Sequence, residues 1–268
     1  MEIMNLAGKS CPMNEALHTF FERDAPGRPI ITVIGSGGKT SLIWYLARKM
    51  DRLCTLVTTT TKMGVPPPGA KRYDHFLKYE SPTDASQVPA PGVTLAVALD
   101  ASGGKLVALP PEALEAMVRQ YDYVLIEGDG SRQLPLKAWA AYEPVVPAYT
   151  TLTVGILPLW PVGMIVSQTI IHRLPLFSTL TGLGEGEVLS LGALVPVLTG
   201  GNSALGKGLF SAAQGKRVLF FNQIEDEKAL DQARELLSLL PRSFLETLSM
   251  VIAGSVRQER AVLLWRAA

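Results

Sequence analysis

The sequence contains few of the residues that cross-link a fold or bind zinc. Its 268 residues include two cysteines, Cys11 and Cys54, and three histidines that lie far apart outside any ligand pattern. Two cysteines exclude a disulfide scaffold, and they cannot by themselves form a four-ligand zinc site. We therefore expect a protein of a reducing compartment, the cytoplasm, without a metal site built from its histidines.

Charged residues are also scarce. They make up 18% of the chain, and 25 Lys and Arg against 24 Asp and Glu leave a formal net charge of +1. A protein with so little excess charge is not expected to bind nucleic acid by bulk electrostatic attraction. The apolar fraction of 47% is too high for a disordered chain, so the composition predicts a folded protein.

A long uninterrupted apolar segment is missing as well. Residues 144–171 carry no charged side chain and would be long enough to cross a bilayer. Four prolines divide this segment: Pro144, Pro147, Pro158 and Pro161. Because each interior proline removes a helix hydrogen bond, we expect buried strands joined by turns here and no stable membrane span.

Apolar segments of strand and helix type alternate along the chain. Strands are predicted over 29–34, 52–57, 93–99, 121–126, 150–157, 217–221, 248–253 and 261–265, with a short one over 105–109. Helices are predicted over 13–21, 40–50, 111–120, 187–198 and 225–240. This alternation predicts an α/β fold, a mostly parallel sheet with helices on both faces. We expect a single domain over 1–268, with the option of an inserted subdomain at about 145–205.

A glycine-rich loop follows the first buried strand and opens a helix. The loop reads Gly35, Ser36, Gly37, Gly38, Lys39, Thr40, Ser41. Glycines let the backbone wrap around a phosphate, and the N–H groups at a helix N-terminus point at the anion. Lys39 would reach the outer phosphates of ATP or GTP, and Thr40 would offer its hydroxyl to Mg²⁺. Val33 stands where the standard loop has glycine, so the loop is a shortened variant, similar to those of Mur-type ligases and some metallochaperone NTPases.

Two acids follow another buried strand. Glu127 and Asp129 lie at its carboxyl end, where open α/β sheets bind their ligands. In phosphate-loop folds, an acid at this place holds Mg²⁺ or its water and can orient the attacking water. Residues two apart on an extended chain face the same way, so both could serve. The alternative is that Asp129-Gly130 is only a turn.

Hydroxyl and basic side chains are expected near the same sheet edge. Thr60 and Lys62 leave the second strand, and could contact Mg²⁺, phosphate or an anionic group. Arg132 and Lys137 follow the acidic strand end and could clamp an anionic substrate or the outermost phosphate. The alternatives are that the threonines only favour a strand and that the basic residues are solvated.

Asn222 follows a late strand and begins a candidate base-recognition segment. GTP-binding proteins carry N-K-x-D there, whereas this chain has Gln223 in place of Lys and Glu225 in place of Asp. Guanine specificity is therefore open, and an asparagine cap before an acidic helix start explains the residues almost as well. The tryptophans, including Trp160, are expected to be core or interface anchors rather than stacking platforms.

Together these motifs resemble one family. The segments are VIGSGGKTSL, LVTTTTKM, VLIEGDGSRQLPLKAWAAYEPVVP and IIHRLPLFSTLTG, followed by the late strand with Asn222. They are similar to the selenium-dependent molybdenum-hydroxylase accessory proteins, the YqeC family of selenium cofactor biosynthesis, over nearly all of residues 28–255. The resemblance implies a phosphate-loop NTPase fold, that is, a P-loop NTPase-like three-layer sandwich. It also implies a role in maturing a molybdenum hydroxylase, with that enzyme or its cofactor-assembly proteins as partners. Relatives look more like N-K-A-D at the late motif, so Gln223 weakens any transfer of guanine recognition.

Three functions remain open from the sequence. The first is a Mg²⁺-dependent NTPase that assists molybdenum–selenium cofactor assembly. The second is a Mur-like ligase, in which ATP activates a carboxylate and Lys62, Arg132 or Lys137 binds the acid substrate. The third is a nucleotide-binding scaffold without turnover, for which the uncharged segment 144–171 would be the docking surface.

Overall fold

The computed structural model describes residues 10–12, 27–64, 72–99, 105–201 and 207–267. In chain order the strands are β1 Ser10–Pro12, β2 Ile30–Gly35, β3 Cys54–Thr59, β4 Lys62–Met63, β5 His75–Lys78, β6 Gly92–Leu99, β7 Leu106–Val107, β8 Tyr123–Glu127, β9 Leu136–Lys137, β10 Leu152–Pro158, β11 Ile171–His172, β12 Lys216–Asn222, β13 Met250–Ser255 and β14 Arg260–Arg266. The helices are α1 Lys39–Lys49, α2 Pro111–Val118, α3 Leu174–Thr181, α4 Leu194–Thr199, α5 Glu227–Leu239 and α6 Arg242–Leu245, with a short 3₁₀ helix at Pro82–Ser86.

Within these residues, twelve strands form one sheet in the order β1-β14-β13-β12-β10-β2-β8-β3-β6-β7-β4, with β5 also paired to β6. The seven strands from β13 to β6 pair in parallel with one another, and antiparallel pairs lie toward both ends of the sheet. Strands β9 and β11 form a separate parallel pair.

Helices cover both faces of the sheet because the central strands are apolar on both sides. Along β12, Val218 and Phe220 belong to the core cluster that contains α1, whereas Leu219 and Phe221 belong to the cluster that contains α3, α4 and α5. Along β8, Leu125 packs with the α1 side, and its neighbours pack under α2 on the other face. The predicted α/β fold, a mostly parallel sheet in a P-loop NTPase-like three-layer sandwich, is confirmed.

Some local predictions need correction or fall outside the described part. The helix predicted over 187–198 is wrong in its first half, since α4 begins only at Leu194. Upstream, the Glu187 carboxylate accepts the Gly184 N–H, and Val188 bridges Ile165, so this segment is held in turns. The helix predicted over 13–21 lies outside the described residues, and the subdomain at about 145–205 stays a prediction.

The proline-interrupted segment 144–171 is built as expected. It supplies β10 in the middle of the sheet and then a series of turns that leads to β11. No helix among the described residues combines the length and the apolar character needed to cross a bilayer.

The parallel register gathers the carboxyl ends of five strands. Val33 pairs with Glu127, and Glu127 pairs with Thr59 on its other side. Gly35 pairs with Ile156, and two residues later along β10 Pro158 pairs with Asn222. The residues that follow β2, β3, β8, β10 and β12 therefore meet at one edge.

Candidate functional site

The loop after β2 has a backbone that requires glycine. Gly35 and Gly38 have φ values of 98° and 122°, in the region that L side chains rarely adopt. A Cβ atom at Gly35 would collide with the Ile156 carbonyl oxygen, and one at Gly38 would collide with the Asn222 amide. The glycines thus allow the loop to pack tightly against β10 and β12 while it turns into α1.

Helix α1 begins at Lys39, directly after the loop. The first N–H groups of a helix have no partner within the helix, and they carry a partial positive charge. The Lys39 side chain is 4% exposed and folds back over the loop. Its Nζ lies 2.6 Å from the Gly35 carbonyl oxygen and 3.3 Å from Asp129 Oδ1. The Lys39 ammonium and the first N–H groups of α1 therefore lie together beside the loop.

Thr40 and Glu127 face each other at the wall of the cavity. The Thr40 hydroxyl donates to Glu127 Oε2 at 2.8 Å, and Glu127 is 6% exposed. Burial raises the pKa of the Glu127 carboxyl, and the charge of Lys39 and the Thr40 hydrogen bond oppose that rise. A hydroxyl and a carboxylate are oxygen ligands of the kind that Mg²⁺ takes, usually together with phosphate oxygens and water. This pair therefore fits a Mg²⁺ ion.

Asp129 lies behind the loop and adds to the rise of the Glu127 pKa through its negative charge. Both of its carboxylate oxygens accept the Gly35 N–H at 3.0 Å, and the side chain is fully buried. Oδ2 also accepts from Lys137 Nζ at 3.1 Å and from Trp139 Nε1 at 2.8 Å. Because β8 ends at Glu127, the strand alternation does not continue, and the two acids take different positions.

A chain of buried charges extends from Asp129 to the surface. Lys137 is buried and bonds Glu143 Oε2 at 3.0 Å and the Gly130 carbonyl oxygen at 2.6 Å. Glu143 in turn pairs with Arg173. Lys137 is thus enclosed by this network, and the network links the loop to the β9–β11 pair. Glu143 and Arg173 are not among the predicted site residues, because ion pairs between distant segments leave no local sequence pattern.

The loop, α1 and the strand ends border a cavity of about 670 Å³. Of the predicted residues, the cavity is lined by Gly37, Gly38, Lys39, Thr40, Ser41, Lys62, Glu127 and Arg132. Four further cationic or aromatic residues line the cavity and are not among the predicted site residues: Trp44, Arg72, Lys105 and Trp160. His172 also lines the cavity, and burial together with the charges of Arg173 and Lys137 lowers its pKa to about 4.

The remaining predicted residues brace the site. Ser36 is buried, and its N–H donates to the Ile156 carbonyl at 3.1 Å. The Thr60 hydroxyl donates to the Val145 carbonyl at 2.7 Å. The Asn222 amide donates to the Gly37 carbonyl at 2.7 Å, while its Oδ1 accepts the Val256 N–H at 3.2 Å. These side chains hold the backbone that surrounds the cavity.

Both acids of the late motif are engaged elsewhere. Glu225 accepts from the Ser255 hydroxyl at 3.0 Å and pairs with Arg257. Asp226 is the N-cap of α5 and accepts the Ala229 N–H at 2.8 Å. The acidic helix start of the alternative interpretation is therefore present, but the asparagine cap is wrong, since Asp226 caps the helix and Asn222 contacts Gly37 and Val256.

The comparisons with known proteins agree on one family. A family model described as "YqeC protein" matches residues 31–175, which is more than half of the chain. A protein of Escherichia coli (strain K12), named "Uncharacterized protein YqeC", is 31% identical over 250 residues, covering 89% of this chain and 92% of the relative. The matched segment contains the loop, the acids and the network from Asp129 to Arg173. The chain belongs to the YqeC family.

Proposed function

We propose that this protein binds a nucleoside triphosphate, ATP or GTP, with Mg²⁺ and hydrolyses it. The observation that carries the proposal is the meeting of the glycine loop with the Thr40–Glu127 pair at one wall of the cavity. An anion-binding helix start and an oxygen ligand pair for Mg²⁺ are the two parts that phosphoryl transfer requires.

Each side chain has a distinct role in this proposal. The loop N–H groups and Lys39 bind the outer phosphates, with Lys39 leaving the Gly35 carbonyl for a phosphate oxygen. Thr40 and Glu127 hold Mg²⁺, which when bound neutralises charge on the phosphate oxygens. Glu127 also orients the attacking water. Asp129 is enclosed by donors, so we assign it to positioning of Gly35 and Lys39.

The cellular role follows from the family resemblance. We propose that nucleotide turnover in the cytoplasm assists maturation of a selenium-dependent molybdenum hydroxylase, with that enzyme or its cofactor-assembly proteins as the partner. The cavity supports such a role because it is also lined by basic residues outside the phosphate loop, Lys62, Arg72, Lys105 and Arg132, which could bind an anionic second ligand.

Calorimetric titration of ATP and GTP in the presence of Mg²⁺ tests the proposal. We expect binding by the wild-type protein and a loss of at least about tenfold in Lys39→Ala, which removes a charge-assisted bond to phosphate. The matched control is Lys49→Ala on the same helix, whose ammonium pairs with Glu259 at the surface. Equal affinities in wild type and Lys39→Ala would show that the loop does not bind phosphate.

The basic part of the cavity favours one second candidate, a Mur-like ligase. Lys62, Arg72, Lys105 and Arg132 line the cavity, and together they could hold an anionic substrate. In that reaction the carboxylate attacks the outermost phosphate, ADP leaves and an acyl phosphate forms.

Hydroxylamine separates the candidate functions, because it would convert the acyl phosphate to a hydroxamate with release of phosphate. ADP formation without an added carboxylate supports hydrolysis, and nucleotide binding without turnover supports the scaffold.

A further inference from the structure

An exposed tryptophan borders the phosphate loop. Trp160 follows β10 and is 49% exposed. This exposure is notable because a tryptophan side chain usually contributes a large apolar area to a core or an interface. Its Nε1 donates to Gln223 Oε1 at 2.8 Å, and both side chains line the same cavity as the loop. Gln223 has a φ of 64°, which is uncommon for a residue other than glycine. The hydrogen bond to Gln223 thus orients the indole in the cavity wall.

The packing of the loop places this indole beside one side of it. Gly37 lies against the Pro158 ring, and Gly38 lies against the Asn222 amide, so closely that neither could carry a Cβ atom. Trp160 is two residues beyond Pro158, and Gln223 directly follows Asn222. The indole therefore lies on the β10–β12 side of the loop, whereas Glu127 at the end of β8 lies on the other side.

The two sides of the cavity suit different parts of a nucleotide. The β8 side carries Glu127 and basic residues such as Lys62 and Arg132, which suit phosphates, Mg²⁺ and an anionic second substrate. The β10–β12 side offers a flat aromatic surface, which suits an uncharged ring. Stacking of a base on an aromatic side chain tolerates any base, since every base has a π-face.

We infer that Trp160, oriented by Gln223, is the platform on which the nucleobase stacks, and that this site takes adenine as readily as guanine. A carboxylate that discriminates guanine must be able to accept its ring N–H and amino group. Glu225 and Asp226 already accept from Ser255, Arg257 and the start of α5. This inference rests on the proposed nucleotide site and adds the base subsite to it.

The experiment compares ATP, GTP and inorganic tripolyphosphate, each titrated calorimetrically with Mg²⁺. We expect Trp160→Ala to weaken ATP and GTP by about tenfold to a hundredfold, because a stacking partner is lost. Tripolyphosphate should bind this variant within about twofold of wild type, since it has no base to stack. Trp160→Phe is the matched control, because it keeps a ring at the same place and should retain most of the nucleotide affinity.

Distinct outcomes separate the two proposals. If Trp160→Ala binds both nucleotides as tightly as wild type, the platform is overturned while the phosphate site stands. The same holds if its affinity for tripolyphosphate falls by the same factor as its affinity for the nucleotides. If the wild-type protein prefers GTP over ATP by more than about tenfold, and Glu225→Gln abolishes that preference, a carboxylate reads the guanine edge. That result would overturn the inference that the site takes adenine as readily as guanine. If the wild-type protein binds none of the three ligands, the nucleotide site fails and the platform fails with it. Thermal melting of each variant checks that the fold is kept.

Discussion

Asp129 concentrates more interactions than any other side chain described at the loop. Its carboxylate accepts the Gly35 N–H, bonds Lys137 and Trp139, and lies 3.3 Å from Lys39. If a neutral amide replaces this carboxylate, the buried ammonium groups of Lys39 and Lys137 lose a negative partner. We therefore expect Asp129→Asn to lower the free energy of unfolding by about 3 kcal/mol, as measured by urea denaturation.

The matched control for that substitution is Asp231→Asn. Asp231 lies on α5, and its pair with Arg234 is exposed. Exposed pairs contribute little, so this variant should lose less than about 0.5 kcal/mol. If Asp129→Asn is as mild as the control, Asp129 does not organise the loop.

His172 predicts a pH dependence of stability. Burial and the neighbouring Arg173 and Lys137 lower its pKa to about 4, whereas the unfolded chain has the ordinary value of about 6.5. The folded protein therefore binds fewer protons between these values, and the contribution of neutral His172 is present above pH 6.5 and lost as the pH falls toward 4. The free energy of unfolding should fall between pH 7 and pH 5 in the wild-type protein. Allowing for the partial exposure of His172, we expect this fall to be smaller by about 1 kcal/mol in His172→Asn.

Urea denaturation at the two pH values measures this difference. His75→Asn is the control, because His75 lies on β5 with an exposed side chain. That variant keeps His172 and should therefore keep the loss of stability that His172 causes. An unchanged pH dependence in His172→Asn would mean that another group causes the loss of stability.

Single residues could be identified from the sequence where a local motif surrounds them. Lys39, Thr40 and Glu127 stand at expected distances from a buried strand, and the structure places all three at the cavity. Asp129 is also among the predicted residues, but its position behind the loop is set by two partners that a local motif does not include. Gly35 is distant in the sequence, and Lys137 lies beyond the turn that follows Asp129. Trp160 could not be selected as a stacking surface, because its exposure follows from the tertiary packing of β10 and β12.

At the scale of elements, the loop between β2 and α1 depends on β12. Asn222 at the end of β12 donates to the Gly37 carbonyl and accepts from Val256. An aspartate at this position could not donate to the carbonyl and would repel both it and a bound phosphate. We therefore expect Asn222→Asp to weaken ATP binding by about tenfold or more, and Asn222→Ala, which loses only the hydrogen bonds, to weaken it less.

Calorimetry with Mg²⁺ and ATP measures both variants. Gln232→Glu on α5 adds the same charge away from the loop and serves as the control. If Asn222→Asp binds ATP as tightly as Gln232→Glu, the contact of β12 with the loop has no bearing on the phosphate site.

Elements were predictable where burial alone determines their type. The run from Ile30 to Gly35 is apolar and β-branched, so its assignment as a central strand needs no tertiary information. Strands β9 and β11 are two residues long and exist through their pairing with each other, which a local pattern does not reveal. The segment 187–193 is apolar enough for a helix, yet the turn at Gly184–Glu187 and the bridge from Val188 to Ile165 hold it in another form.

At the scale of the whole molecule, the candidate site joins two parts of one sheet. The loop packs against β10 and β12 on one side, and Glu127 at the end of β8 bonds α1 on the other. Core clusters on both faces run beneath this edge, so movement of the loop would disturb residues in both. A ligand that occupies the loop is therefore expected to stabilise the folded chain as a unit.

Thermal unfolding measures this coupling directly. A ligand at a hundred times its Kd adds about 2.7 kcal/mol to the folded state, which for a chain of this size raises Tm by roughly 5–8 °C. We expect this rise for wild type with Mg²⁺ and ATP and a smaller one when EDTA removes Mg²⁺. At the same ATP concentration, Lys39→Ala should show no more than about half of the wild-type rise, because a tenfold higher Kd leaves about 1.4 kcal/mol. Lys49→Ala should respond as wild type does, because its pair with Glu259 lies at the surface. A rise of equal size in Lys39→Ala would place the stabilising ligand somewhere other than the loop.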